Sequence, residues 1–552
     1  MDGAPLPAPA RHRAAWRLLG SLAAAGVAVS VTALTLSTQR ADPQLASAVR
    51  PELRPPPSAP APAPSPPRLL VLPPSSSPAD AHLSQTFAED LIATLGERAR
   101  QLEVIAPRTA LRYQGTERPL RALAAELSVD YVVEGTLRTV DGERRLAVQL
   151  VRGRDEIQLW ARTFRLTATA ALPAGDVAGV VAQSLAMTLT PRTEEPALPA
   201  AAEDAYLQGR YAMHRHRIFD AMNSLALASQ LAPDSAKVWA ARARAAMLRG
   251  DRPARPRPGV SDCPDCSGSA AARRFAETAL RLAAPAGAAR AEAHLVLARL
   301  AFYREWAFER AFAHFTASLT ANPAHAEAHN DFAAYFAIQG RHDEAIASVR
   351  RALALDPAAP EVVSDVGWYY FFARRFAEAV EWSERTLGFE PRYAWAHRCV
   401  VLAHLELGDF VAAAAAAGRE VQVRRGPEAL RASLLAPREL RTKTWRGSWQ
   451  ANLAAARALH AYWRWDLDHV FGDVDNRAVA RMGMGDLTGA LTELERAAER
   501  HVGWLLPFLA VDPTFDPLRD DARFQALLAK VRGEAPAETT ASTTRSLTAR
   551  PP

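Results

Sequence analysis

The sequence predicts an α+β multidomain chain that is mainly α: a right-handed superhelical solenoid of helical hairpins, preceded by a smaller α/β domain. Three observations predict it. Asn322-Pro323, Asp356-Pro357 and Glu390-Pro391 set prolines at intervals of 34 residues, a period that marks stacked helix-turn-helix units. Residues 68–190 instead alternate short apolar runs with amphipathic stretches, the pattern of strands and helices in turn. Between the amino terminus and that region lies a Pro/Ala-rich run that no packed element tolerates.

With 552 residues, the chain has length for about three or four domains. Its net charge of +6 comes almost wholly from arginines interspersed with Asp and Glu. That pattern reads as solvated helix faces and offers no basic stripe for nucleic acid.

The elements follow in order. Residues 1–17 carry Arg11, His12, Arg13 and Arg17 against Asp2, and Leu18 to Leu36 then runs without a charge. Nineteen residues make a helix of about 28 Å, enough to cross the roughly 30 Å hydrocarbon core. The arginines put residues 1–17 in the cytoplasm and the rest beyond a bacterial inner membrane, in the periplasm, as a single-pass protein. A cleaved secretory signal is the competing reading. The run exceeds the usual length of a signal and no A-x-A site follows it, so an anchor is favoured. Residues 37–67 form a Pro/Ala-rich linker that favours extended polyproline II.

From 68 to 190 the pattern predicts strand 69–72, helix 83–99, strand 102–106, helix 119–127, a hairpin of 129–138 and 145–151 turning at Asp141-Gly142, strand 157–164 and a closing helix over 176–189. The phrases FAEDLIATL, LEVIAPRTALRYQG, AAELSVDYVVEGTLR and LAVQLVRGRDEIQLWARTF, in that order, resemble the amino-terminal domain of TolB over about 120 residues. In bacterial signalling proteins that domain often stands between a membrane helix and tetratricopeptide repeats (TPRs). The resemblance implies a winged-helix, kinase or cyclase output domain before the membrane helix. Only about seventeen residues stand there, so binding is expected to be the whole function.

Residues 203–500 read as the repeat array, with an insertion at 251–270. In the unit 326–357, Phe332, Ala333 and Phe336 occupy the core positions of a first helix, Gly340 ends it, and Ala345, Val349 and Ala352 line a second. This unit and its neighbours resemble the TPR family. About six units are expected, with a seventh around Gly485, Ala490 and Ala497; residues 501–532 are expected to cap the last hydrophobic face, and 533–552 to be disordered.

The resemblance implies a concave groove built from the second, fifth, ninth, twelfth and thirteenth positions of each repeat. Here these include Arg299, Phe302, Tyr303, Trp368, Phe371, Phe372, Trp395 and Arg398. Aromatics and arginine dominate interface energetics, so a protein or peptide anchored by apolar side chains is the expected partner, with inter-repeat packing as the alternative for each residue.

Other candidates are weaker. His325 and His329 are four apart, as in a metal pair, but His294, His329 and His397 all hold the fourth position of their repeats and read as one packing position. Cys263 and Cys266, in a Pro/Gly-rich insertion, are expected to form a small disulfide outside the cytoplasm; Cys399 reads as a buried apolar residue. No phosphate-binding, nucleophile-elbow or metalloprotease phrase is present, and neither metal nor cofactor is expected. The reading is therefore a membrane-anchored scaffold or sensory adaptor, not an enzyme. An exported envelope assembly factor and an enzyme with an unrecognised site in the α/β domain are the alternatives.

Overall fold

The computed structural model describes residues 66–99, 101–140, 143–166, 173–189, 198–250, 268–440, 445–469, 474–501 and 503–534. The apolar run 18–36, most of the linker, Asp141-Gly142, Cys263, Cys266 and the tail beyond 534 lie outside them. No helix among the described residues is long and apolar enough to cross a membrane.

The chain is mainly helical, with one small mixed sheet. Strands β1 (Arg68–Val71), β2 (Ser75–Ser76), β3 (Glu103–Val104), β4 (Tyr131–Val140), β5 (Glu143–Arg152) and β6 (Ile157–Leu166) form it, in the order β3-β1-β4-β5-β6 with β2 on β4. The β3, β1 and β4 ladders are parallel; β4, β5 and β6 form an antiparallel meander, Val133 opposite Leu150 and Leu146 opposite Phe164. Helices α1 (Ala81–Arg98) and α4 (Ala174–Ser184) pack together over a core of Leu69, Val71, Leu91, Leu150 and Val181. Two more, α2 (Pro107–Arg112) and α3 (Leu120–Leu127), lie between β3 and β4. The sequence pattern missed α2, because six residues cover too few turns to show a period.

Six helical hairpins follow in succession: α5/α6 (Ala200–His214, Ile218–Leu231), α7/α8 (Ala236–Arg249, Gly268–Leu282), α9/α10 (Ala288–Tyr303, Phe308–Ala321), α11/α12 (Ala326–Ile338, His342–Leu355), α13/α14 (Pro360–Phe372, Phe376–Phe389) and α15/α16 (Ala394–Glu406, Phe410–Val423). Short α17 (Glu428–Leu435) and α18 (Pro437–Leu440) lead to a long helix α19 (Trp445–His469). The hairpin α20/α21 (Val474–Gly483, Leu487–Glu499) comes next, then 3-10 turns at Leu506–Phe508 and Pro513–Leu518, and α22 (Ala522–Arg532). The 25-residue α19 stands between the sixth hairpin and α20/α21, within the span 203–500 expected to form the array.

Repeat spacing has local causes. Gly340, Gly408 and Gly485 end first helices in the left-handed region, at φ 72°, 74° and 76°. A Cβ on Gly367 would lie 2.5 Å from Ser383 Oγ, so only glycine lets α13 and α14 approach so closely. Trp239, His329 and His397, all at the fourth repeat position, donate a ring N–H to the carbonyl of Pro233, Pro323 and Pro391, six residues back, at 2.6, 3.0 and 2.8 Å. Each thereby satisfies a carbonyl exposed by the turn that the proline makes. Successive first helices pack on one another more closely than successive second helices do, so the array curls with first helices inside.

The α/β domain docks on the same prolyl turns. Thr109 N and Oγ1 donate to Asp356 Oδ1 at 3.0 and 2.6 Å, and Thr109 Oγ1 accepts from Ala358 N at 2.8 Å. Ala106 N donates to Leu355 O, and Arg112 reaches Phe389 O, both at 2.7 Å. Further along, Arg210 on α5 pairs with Glu89 and Asp90 of α1, and His214 Nε2 lies 2.8 Å from Glu89 Oε1.

Candidate partner-binding groove

First helices α9, α11, α13 and α15 set the inner wall, and it divides into three stretches of different chemistry. The first is ionic. Glu327 Oε1 receives Arg108 Nη2 of the α/β domain at 2.7 Å and Arg244 Nη2 at 2.6 Å, and Oε2 receives Arg299 Nη2 at 3.0 Å. Arg299 Nε also donates to Asp331 at 2.5 Å, and Arg244 reaches Glu292 at 3.2 Å. Burial alone would raise the Glu327 carboxyl, yet the three guanidiniums hold it well below the usual carboxylate range.

The second stretch is aromatic and already covered. Residues 503–518 fold back across it. Trp504 meets Trp395 edge-on at 4.8 Å between ring centres and Trp368 at 5.8 Å; Phe508 stacks on Phe372 at 4.9 Å and approaches Phe302 at 6.1 Å. Asp516 accepts from Arg374 at 2.8 Å, fastening the segment to the end of α13. Leu505, Leu506, Phe508, Leu509, Phe515 and Leu518 are all at most 3% exposed. At about 1.5–3 kcal/mol for each buried side chain, these six contribute on the order of 10 kcal/mol, as much as a tight partner would gain by displacing them.

The expected groove residues are therefore distributed as follows. Phe302, Trp368, Phe371 and Phe372 are buried, Phe371 completely. Trp395 is half-buried under Trp504. Arg299 belongs to the ionic stretch. Arg398 is inside the array, with Nη2 donating to Asp466 of α19 at 2.8 Å and its guanidinium over the Trp463 ring. Tyr303 is half-buried and meets Phe302 edge-on. The segment 501–532 does pack on α21, but it also fills the aromatic part of the groove. Its run of Trp504, Phe508 and Phe515 was the available signal, since a cap needs a polar outer face.

The third stretch lies between Arg108 and the returning segment, where Asn330, Asp365 and Tyr393 are partly exposed. Asp365 of α13 accepts from Asn330 Nδ2 at 2.7 Å and has no basic partner among the described residues. Asn330 Oδ1 is buried without a hydrogen bond. Tyr303, Tyr369 and Tyr393 surround the carboxylate closely enough for its charge to raise their hydroxyl pKa values beyond the effect of burial. Burial, with repulsion from Asp331 and Glu361, pushes Asp365 itself up to about 7.

Elsewhere, no group of three or more His, Cys, Asp or Glu could hold a metal ion among the described residues. His294 and His314 face each other, Nδ1 to Nδ1 at 3.1 Å, one ring nitrogen donating to the other. Burial, the facing imidazole and Arg290 push His294 down to about 4; burial, Arg273 and Arg310 lower His314. Because the folded state disfavours the imidazolium, this pair's contribution is fully present above pH about 6.5 and is lost as pH falls toward 4. A His314→Asn variant should therefore lose less of its urea midpoint between pH 7 and pH 5 than the wild type does. Equal losses would contradict the assignment.

No family model matches the chain. A curated relative, putative adenylate cyclase 3 of Rhizobium meliloti (strain 1021), is 32% identical over 113 residues, which are 20% of this chain and 18% of the relative, so the chain spans less than a fifth of that protein's length. Among solved structures, PilW, described as a widely conserved type IV pilus biogenesis factor, is 15% identical over 49% of this chain and 93% of its own, with a TM-score of 0.27. The C-terminal part of a TPR repeat-containing protein from Cytophaga hutchinsonii is 12% identical over 56% and 98%, at 0.28. A tetratricopeptide repeat protein from Parabacteroides merdae ATCC 43184 is 11% identical over 57% and 99%, at 0.27. Scores of this size establish neither shape nor function.

Proposed function

We propose that this chain is a protein-binding scaffold whose open stretch of groove takes a basic segment of its partner. The observation that carries the reading is Asp365, a carboxylate on a first helix with an amide neighbour and, among the described residues, no ion-pair partner, Arg108 acting on it only at longer range. A lysine or arginine of a bound peptide would supply both the missing charge and the missing donor for Asn330 Oδ1. Aromatic anchoring at Trp368 and Phe371 gives way to this reading, because those rings are core.

The test uses fluorescence anisotropy with extended peptides identical except that lysines are replaced by norleucine. Wild-type protein should prefer the basic peptide, and Asp365→Asn should weaken it about tenfold or more. Binding should tighten from pH 6 to pH 8, because the carboxylate that attracts the cation ionises near 7. Equal affinity for both peptides would sink the proposal.

In this reading Leu18–Leu36 anchors the scaffold in a bacterial inner membrane with the array outside, supported by the charge-free run and the arginines before it. Sequence likeness to a protein named as a putative adenylate cyclase favours a sensory adaptor over an envelope assembly factor.

A further inference from the structure

The α/β domain has a cavity of its own, on the sheet face opposite α1 and α4. Strand β1 ends at Val71 and β2 takes up pairing with β4 again only at Ser75, while β4 and β5 run on past the gap at Leu72. The loop before α3 overhangs it, leaving a cleft of about 480 Å³. Apolar Leu72 and Val151 line it together with Glu117, Arg118, Glu134, Gln149 and Glu156. The volume lies in the roughly 300–1,000 Å³ range of small-molecule sites. The place has a topological reason as well. From β1 the chain passes to β3 on one side and returns to β4 on the other, and crevices at the carboxyl ends of strands around such a reversal are where α/β sheets hold ligands.

The lining chooses the sign of the charge. Glu134 accepts from Gln149 Nε2 at 2.7 Å, and Glu156 accepts from Arg121 N at 2.8 Å through Oε1, so each carboxylate is fixed in place by one oxygen and keeps the other without a protein partner among the described residues. Arg118, which lines the cleft, is paired with Glu126 at 2.5 Å, and Arg152 nearby pairs with Asp155 at 2.9 Å. An anion would meet three carboxylates against one guanidinium already paired with Glu126. A short aliphatic amine would meet carboxylates for its charge and Leu72 and Val151 for its methylenes.

We propose that this cleft binds a small organic cation, an aliphatic mono- or diamine, independently of the peptide groove. Isothermal titration of the purified full-length chain with cadaverine, 1,5-pentanediol and glutarate separates the possibilities. Cadaverine should bind saturably, and the diol and the dianion should not. The isosteric double variant Glu134→Gln/Glu156→Gln should weaken cadaverine about tenfold or more while leaving the basic peptide unaffected; Asp365→Asn should do the reverse. Matching circular dichroism spectra would show that the double variant folds. The cleft is not an amine site if cadaverine gives no saturable heat, if the double variant binds it as well as wild type, or if Asp365→Asn abolishes it. The last outcome would place the amine in the groove instead.

Discussion

Phe508→Ala should destabilise the chain by about 3–5 kcal/mol, the range for deleting a buried aromatic, although Phe508 lies in no repeat. The ring is 3% exposed, stacks on Phe372 and approaches Phe302, so its removal opens a cavity bounded by α9, α13 and the returning segment. Neighbouring rings cannot collapse into the space, because Trp368 and Trp395 are themselves held by Trp504. Unfolding of so long an array need not be two-state, so the sharper readout is amide hydrogen exchange, with protection expected to fall in α9, α11 and α13 together. Leu407→Ala is the control: this leucine is 50% exposed and its loss should change stability by less than about 0.5 kcal/mol. If Phe508→Ala behaved like Leu407→Ala, the closure of the groove by residues 503–518 would be wrong.

Glu327→Ala should cost a similar amount, about 3–5 kcal/mol, for an electrostatic reason. The carboxylate serves Arg108, Arg244 and Arg299 at once, and its removal leaves Arg244 and Arg299 with only Glu292 and Asp331 and Arg108 with only the 3.6 Å contact to Glu361. Exchange should rise in residues 107–112 as well as in α7 and α9, because Arg108 ties the α/β domain into this network. Adding Arg108→Ala to Glu327→Ala should cost less than the two single effects summed, since the second change removes one of the stranded charges. The same network sets an acid limit. Glu327 has its pKa lowered by folding, so the stability it contributes is present above the unfolded carboxyl value of about 4.3 and is lost as pH falls below it. Retained protection of residues 107–112 in Glu327→Ala at neutral pH would contradict the latch.

The repeats were legible because their constraints are local and recur. A left-handed glycine at the end of a first helix, a close-packed Gly367 and a proline every 34 residues each leave a mark at fixed spacing. The antiparallel meander was legible for the same reason, its alternation showing which face is buried. Helix α2 was not, being too short to show a period, and neither was the interruption by α19, whose sequence is as helical as its neighbours'. For the groove, the repeat register assigned positions to Phe302, Trp368, Phe371, Phe372 and Arg398 but could not say what lay against them, and all five are buried. Arg398 illustrates this: its partner Asp466 is 68 residues away on an element outside the repeat pattern.

The sequence by itself determined the periodic solenoid, its first-helix wall and the separate α/β domain, because periodicity and alternation follow from helix and strand geometry alone. Tertiary structure alone decided that the prolyl turns are a dock for that domain, that Glu327 gathers three arginines from distant segments, and that Trp504 and Phe508 close the aromatic wall. Those contacts join residues 28 to 277 positions apart, most of them more than 100, and burial between such segments depends on how the array curves, which no local pattern encodes.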